Sequence, residues 1–105
     1  MMTVITETSV QPGQEQEWDN AFRARAKDAQ KQPGWVATQL LIPADDRQKR
    51  VVVGTWQDQE SWERWHNTDS FQQTRDQLNS ATVDDGNERW FEVMVEQASG
   101  DVAVG

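Results

Sequence analysis

WVATQLLIPADDRQKRVVVGTWQ, from Trp35 to Gln57, holds two β-type runs, Trp35 to Ile42 and Arg50 to Gln57, on either side of the polar turn Pro43 to Lys49. Two such runs joined by a short turn predict an antiparallel hairpin. An antiparallel sheet covered on one side alternates apolar and polar residues, and these strands do not. The first carries Trp35, Ala37 and Leu41 on one face and Val36, Leu40 and Ile42 on the other, and the second sets Val51 and Val53 against Val52 and Trp56. Both faces of this sheet are therefore expected to be covered.

Outward from the hairpin, strand and helix periods alternate. Thr3 to Val10 is rich in β-branched residues and ends at Pro12-Gly13, a strand followed by a turn. From Gln14 to Gln32 the positions Trp18, Ala21, Phe22, Ala26 and Ala29 make a helical stripe that Pro33-Gly34 stops. A second helical region follows the hairpin, Thr82 to Asn87 reads as a loop, and Trp90 to Gln97 as the last strand, with Trp90 and Met94 against Phe91, Val93 and Val95. The order βαββαβ predicts an α+β, ferredoxin-like domain over residues 1–97, a four-stranded antiparallel sheet with its helices on one face. Residues 98–105 are expected to be a flexible C-terminal tail. Helices on one face leave the other apolar face bare, and the simplest cover is the same sheet of a second copy, a homodimer.

Composition narrows the function classes. At 105 residues the chain suits one domain with one core. A formal net charge of −8 argues against nucleic acid or an anionic membrane surface as partner. Without cysteine there is no disulfide, thiolate metal site or cysteine nucleophile, and a single histidine makes a zinc site improbable. No apolar run approaches the roughly 20 residues of a membrane span, and no signal peptide is legible, so the expected location is the cytoplasm.

Function is sought in the block from Trp56 to Arg75, where WQDQESWERWH brings three of the six tryptophans beside the one histidine. Trp62, Trp65 and His66 share a helical face as i, i+3 and i+4. A straight continuation would put Phe71 on the opposite side, so a break is expected at Asn67 to Asp69, with Asp69 capping a second helix and Gln72 in the capping-box position. In that helix Phe71, Thr74, Arg75 and Leu78 are expected to face inward.

The strand ending in Pro12-Gly13, the PGW at Pro33 to Trp35, LLIP, VVVGTW and the spacing of Trp56, Trp62, Trp65 and Phe71 together resemble the antibiotic biosynthesis monooxygenase family of dimeric α+β barrels. The resemblance runs from about Thr3 to Glu96. Its haem-degrading branch implies an asparagine, a tryptophan and a histidine iron ligand where this chain has Thr6, Trp65 and Arg75. Arginine stays protonated and cannot ligate iron, although Phe22 and Arg25 match that branch's FxxR pattern and haem binding through His66 is an alternative. The cofactor-free branch, which oxidises anthrone-type aromatics, implies a tryptophan and an arginine that Trp56 and Arg75 match, an aromatic that appears as Trp62, and an asparagine replaced here by Val52.

The resemblance favours oxygenation of a small aromatic or polycyclic hydrophobic molecule by dioxygen without a prosthetic group. Trp56, Arg75 and His66 are the catalytic candidates, and Phe22, Arg25, Trp62, Trp65 and Phe71 the substrate-binding ones. Haem degradation and a non-catalytic dimer that binds a hydrophobic ligand are the alternatives. Plainer roles compete at each position: tryptophans as core, His66 favouring a helix dipole, Arg75 reaching solvent or pairing with Asp76 or Glu63, and Thr6 as an ordinary strand residue. Asp45, Asp46, Asp84 and Asp85 read as solvated loop carboxylates.

Overall fold

In chain order the protein forms β1 (Met2–Ser9), α1 (Glu15–Gln30), β2 (Trp35–Leu41), β3 (Lys49–Trp56), α2 (Gln59–His66), α3 (Asp69–Ser80) and β4 (Asn87–Glu92). The computed structural model describes residues 1–84 and 86–98; Asp85 and, from residue 99 on, the expected tail lie outside the described residues. The strands pair antiparallel in the order β2-β3-β1-β4, the ferredoxin-like arrangement.

Strand alternation and register decide which side chains meet the helices. Val4 pairs with Gly54 and Trp90, and Thr6 with Val52 and Glu88, so these residues share the helix-facing side. Thr3, Ile5, Val51, Val53, Thr55 and Phe91 fall on the other side, joined by Ala37 and Leu41 of β2. A register shift between Trp35 and Ala37 overturns the simple alternation expected for β2. A bulge inserts one residue and resets the side-chain period. Trp35 consequently packs with the helix-side core, donating from Nε1 to Thr38 Oγ1 at 2.8 Å, rather than sharing a face with Ala37 and Leu41.

The last strand is shifted toward the N-terminus from the expected Trp90 to Gln97. It begins at Asn87 and its ladder on β1 ends at Met2 opposite Glu92, with one further bond from Val93 N to Met1 O. Past that point no further strand pairing occurs among the described residues, and Met94 and Val95 are exposed. The stretch read as a loop is also tied down, since Thr82 bridges to Val10, and Asp84 accepts from Thr8 Oγ1 and from the backbone of Ser9 and Gly86.

The helical break falls where expected, but Thr68 caps α3 and Asp69 does not. Thr68 is extended and its Oγ1 accepts from Phe71 N, which leaves Asp69 as the first helical residue, its charge at the positive end of the dipole. Gln72 reaches back to the carbonyl of His66 at 2.8 Å rather than completing a capping box. Asp58 caps α2 through Ser61 N at 2.7 Å. Gly34, at φ +89°, turns α1 into β2 directly over Ser61, where a Cβ would come within 2.6 Å of the serine Cβ.

Packing divides into two apolar clusters under the helices. Val10, Trp18, Ala21, Phe22, Leu78 and Ala81 form one, with Trp18 and Phe22 stacked at 5.4 Å. Ala29, Trp56, Trp65 and Phe71 form the other. Arg50, 3% exposed at the head of β3, is held by Asp19 at 2.7 and 3.2 Å and by two backbone carbonyls, so its charge is buried with a partner and its donors are used. No described helix is long and apolar enough to cross a membrane.

Candidate functional site

A cavity of about 170 Å³ opens between the two clusters. β1 and β3 floor it with Val4, Thr6, Val52, Gly54 and Trp56; α1 lines it with Phe22, Arg25, Ala26 and Ala29; α2 and α3 close it with Trp62, Trp65, His66 and Phe71. Seven of the eight sequence candidates, Trp56, His66, Phe22, Arg25, Trp62, Trp65 and Phe71, therefore meet at one place. Arg75 is not among them. It is exposed at the mouth, where its Nη1 donates to Gln72 at 3.3 Å, and it shares an outer groove with Arg25, His66 and Glu88. The expectation that it faces inward fails because Arg75 and Thr74 flank the Phe71–Leu78 stripe on opposite sides. The roll of α3 turns the Thr74 side toward α1.

The arginine inside the cavity is Arg25. Its Nε donates to Thr74 Oγ1 at 3.0 Å, its guanidinium lies 4.1 Å from the centre of the Phe71 ring, and its Nη2 is buried without a hydrogen-bond partner. Burial, then the like charge of Arg75, pulls its pKa down to about 10, which leaves it charged at neutral pH.

His66 sits in an aromatic box, its ring 3.6 Å from that of Trp62, 4.0 Å from Phe71 and 5.2 Å from Trp65. Its Nδ1 lies 2.8 Å from the carbonyl of Trp62, and a carbonyl only accepts, so the proton is on Nδ1. Nε2 is left as the basic nitrogen, with no hydrogen-bond partner among the described residues. Burial pulls the imidazole pKa down to about 4 against the opposing carbonyl bond, and the charges of Arg25 and Arg75 push the same way. The ring is neutral throughout the physiological range, and the dipole role read for it requires a cation it does not carry.

Tertiary contacts fix the tryptophans as walls. Trp65 donates from Nε1 to Asp28 Oδ2 at 2.8 Å and stacks on Trp56 at 5.4 Å. Trp62 meets the edge of Trp90 at 5.0 Å. Trp56 is 2% exposed, and its Nε1 borders the space above Gly54. Four residues outside the sequence candidates also matter: Thr74, expected to face inward and found orienting Arg25, and Thr6, Thr38 and Glu88, which line the wall. Strand parity was the available signal for Thr6, since it is two residues from Val4 on the inward face.

Among the described residues no group of three His, Asp or Glu side chains could hold a metal ion. Haem does not fit this cavity. Its volume is close to the roughly 150 Å³ that holds benzene and below the ~300 Å³ at which sites for drug-sized ligands begin. An iron ligand would also have to be His66, whose ring is packed on both sides by aromatic side chains.

The fold recurs in solved structures. A chain from Nitrosomonas europaea described as a putative antibiotic biosynthesis monooxygenase superposes with a TM-score of 0.84 at 17% identity, covering 90% of this chain and 100% of that one. SnoaB from Streptomyces nogalater, described as a cofactor-independent oxygenase, gives 0.79 at 21% identity over 93% and 95%. A putative antibiotic biosynthesis monooxygenase from Caulobacter crescentus gives 0.81 at 17% over 90% of each chain. A comparison with curated protein sequences found no match. The antibiotic biosynthesis monooxygenase model matches residues 1–77, which include β1, both strands of the hairpin and nearly all of the cavity wall, and the chain belongs to that family.

Proposed function

We propose that the protein oxygenates a small aromatic molecule with dioxygen and without a prosthetic group. The observation that carries this reading is the neutral His66 with a free Nε2 inside an aromatic cavity that also holds the Arg25 guanidinium. A phenolic or enolisable ring packs among Trp62, Trp65 and Phe71, whose rings are set at angles to one another. His66 Nε2 takes its proton, and the imidazolium and the two guanidinium charges stabilise the anion. The anion raises the pKa of the imidazole beside it, so a resting value near 4 does not prevent the transfer. One electron passes from the anion to dioxygen, the radical pair joins in a carbon–oxygen bond, and loss of water from the hydroperoxide leaves a carbonyl. The balance is CH2 + O2 → C=O + H2O.

The likeness to SnoaB supports the reading through its described cofactor independence. The cavity volume moves the substrate from the polycyclic range to one or two rings. Arg75 contributes from the mouth, through its charge. The bare sheet face bearing Ile5, Val53, Leu41 and Phe91 supports a homodimer through that face.

Oxygen uptake with 1-naphthol, whose keto tautomer carries a CH2 at C4 and whose product by this balance is 1,4-naphthoquinone with water and no peroxide, tests the proposal once corrected for autoxidation. The expected result is catalysed uptake that falls about 10²-fold or more in His66→Ala. Uptake no faster than in buffer, or unchanged in His66→Ala, would overturn it.

A further inference from the structure

The cavity is apolar except for a few atoms, and one of these is a cationic donor with nothing to bond. Arg25 Nη2 is buried and unpartnered, while the rest of the guanidinium is fixed by Thr74 Oγ1 and the Phe71 ring. A buried charged donor left unpaired costs more than an ordinary hydrogen bond returns, so a site of this kind is completed by its ligand. The nearby carboxylates do not complete it. Asp28 accepts Trp65 Nε1, and Glu88 accepts Trp90 Nε1 at 3.1 Å. Arg75, at the mouth, adds a second positive charge to the entrance of an otherwise acidic protein.

We infer that the cavity selects a one- or two-ring aromatic that already bears an oxyanion, a carboxylate or an ionised acidic hydroxyl, and that Arg25 Nη2 binds this oxygen. The ring lies against the Phe71 and Trp65 walls while the oxyanion stays on the guanidinium, a charge-assisted bond stronger than a neutral one. Arg25 is thereby the specificity-determining residue, set apart from the proton acceptor His66. The inference rests on the cavity used in the proposed function but on none of its oxygen chemistry.

Isothermal titration without turnover tests it, with 2-naphthoate and 2-naphthamide as probes of equal ring size and different charge. Naphthoate is expected to bind at least tenfold more tightly to the wild type, with the preference reduced to about twofold or less in Arg25→Met and in Arg25→Gln. The preference is expected to persist in Arg75→Met. Thr74→Val keeps the charge, loosens its aim and is expected to give an intermediate ratio, which provides a second reading if the Arg25 variants fold poorly by circular dichroism. Equal affinities for the two probes in the wild type overturn the inference and leave the aromatic cavity standing. A preference that survives in the Arg25 variants, or one that is undiminished in Thr74→Val when those do not fold, also overturns it, as does one that disappears in Arg75→Met alone. Failure of both probes to bind overturns the cavity reading as well.

Discussion

Asp28 on α1 and Trp65 on α2 are joined by an indole-to-carboxylate hydrogen bond of 2.8 Å that fixes one wall of the cavity. The bond crosses between elements far apart in sequence, and the same tryptophan stacks on Trp56 and meets Phe71 edge-on at 4.8 Å. Asp28 acts on Arg25 through its charge, which favours the guanidinium cation, and not through a hydrogen bond.

Replacing Asp28 by Ala leaves the indole N–H of a buried tryptophan, 7% exposed, without its partner. The expected loss is about 1–3 kcal/mol in urea unfolding. Asp28→Asn keeps an acceptor and is expected to recover most of it. Equal stability of Asp28→Ala and wild type would show that the bond fixes nothing.

His66 gives the protein a pH dependence whose sign follows from burial. Its folded pKa, near 4, lies below the 6.5 of the exposed ring, so between these values the unfolded chain binds the extra proton. Stability is full above pH 6.5 and falls as the pH drops toward 4. Solvent reaches part of the ring, and the expected loss is about 1–2 kcal/mol, roughly half of what a fully enclosed ring would give. Comparing urea midpoints of wild type and His66→Gln at pH 7.5 and 4.5 isolates the contribution. An identical pH dependence in the two proteins would remove it.

The fold was legible because apolar residues on both faces of Trp35 to Gln57 and Pro-Gly punctuation left few arrangements open. The bulge at Trp35 was not, since a one-residue insertion carries no compositional mark and shows only when the partner strand fixes the register. The cavity wall was mostly legible, as helical phase alone aligns Trp62, Trp65 and His66 on one side. The choice between Arg25 and Arg75 was harder. Both lie beside apolar stripes, and the roll of α3 against α1, which brings Thr74 to Arg25, decides which guanidinium is enclosed. Nor did the sequence reveal the buried pair of Arg50 and Asp19, whose partners are thirty-one residues apart.

The outer sheet face leads to a prediction about assembly. Val53 lies in β3, an interior strand, opposite Ile5 on the side away from the helices. Lysine there is solvated in a monomer but would be desolvated in a sheet-to-sheet dimer. Val53→Lys is expected to convert a dimer to a monomer in sedimentation velocity at micromolar concentration, with the far-ultraviolet spectrum retained. A wild type already monomeric at that concentration would refute the dimer.

Gly54 tests the cavity itself. It occupies the floor of the site in β3 with ordinary negative φ, so its backbone accepts any L-residue. A Cβ there would meet Trp56 Nε1 and Val4 Cγ1 at 3.5 Å each, normal van der Waals contact. Valine adds a β-branched side chain suited to a strand and removes the entropic penalty of glycine, about 0.5–1 kcal/mol. Its methyl groups project into a space of about 170 Å³, which they substantially occupy. Gly54→Val is expected to melt at or above the wild-type temperature while losing naphthoate binding and oxygen uptake together, each by tenfold or more. Stability and ligand binding move in opposite directions only if the space above Gly54 is the ligand site. A variant that is more stable and binds as before would place the ligand elsewhere, in the outer groove beside Arg75.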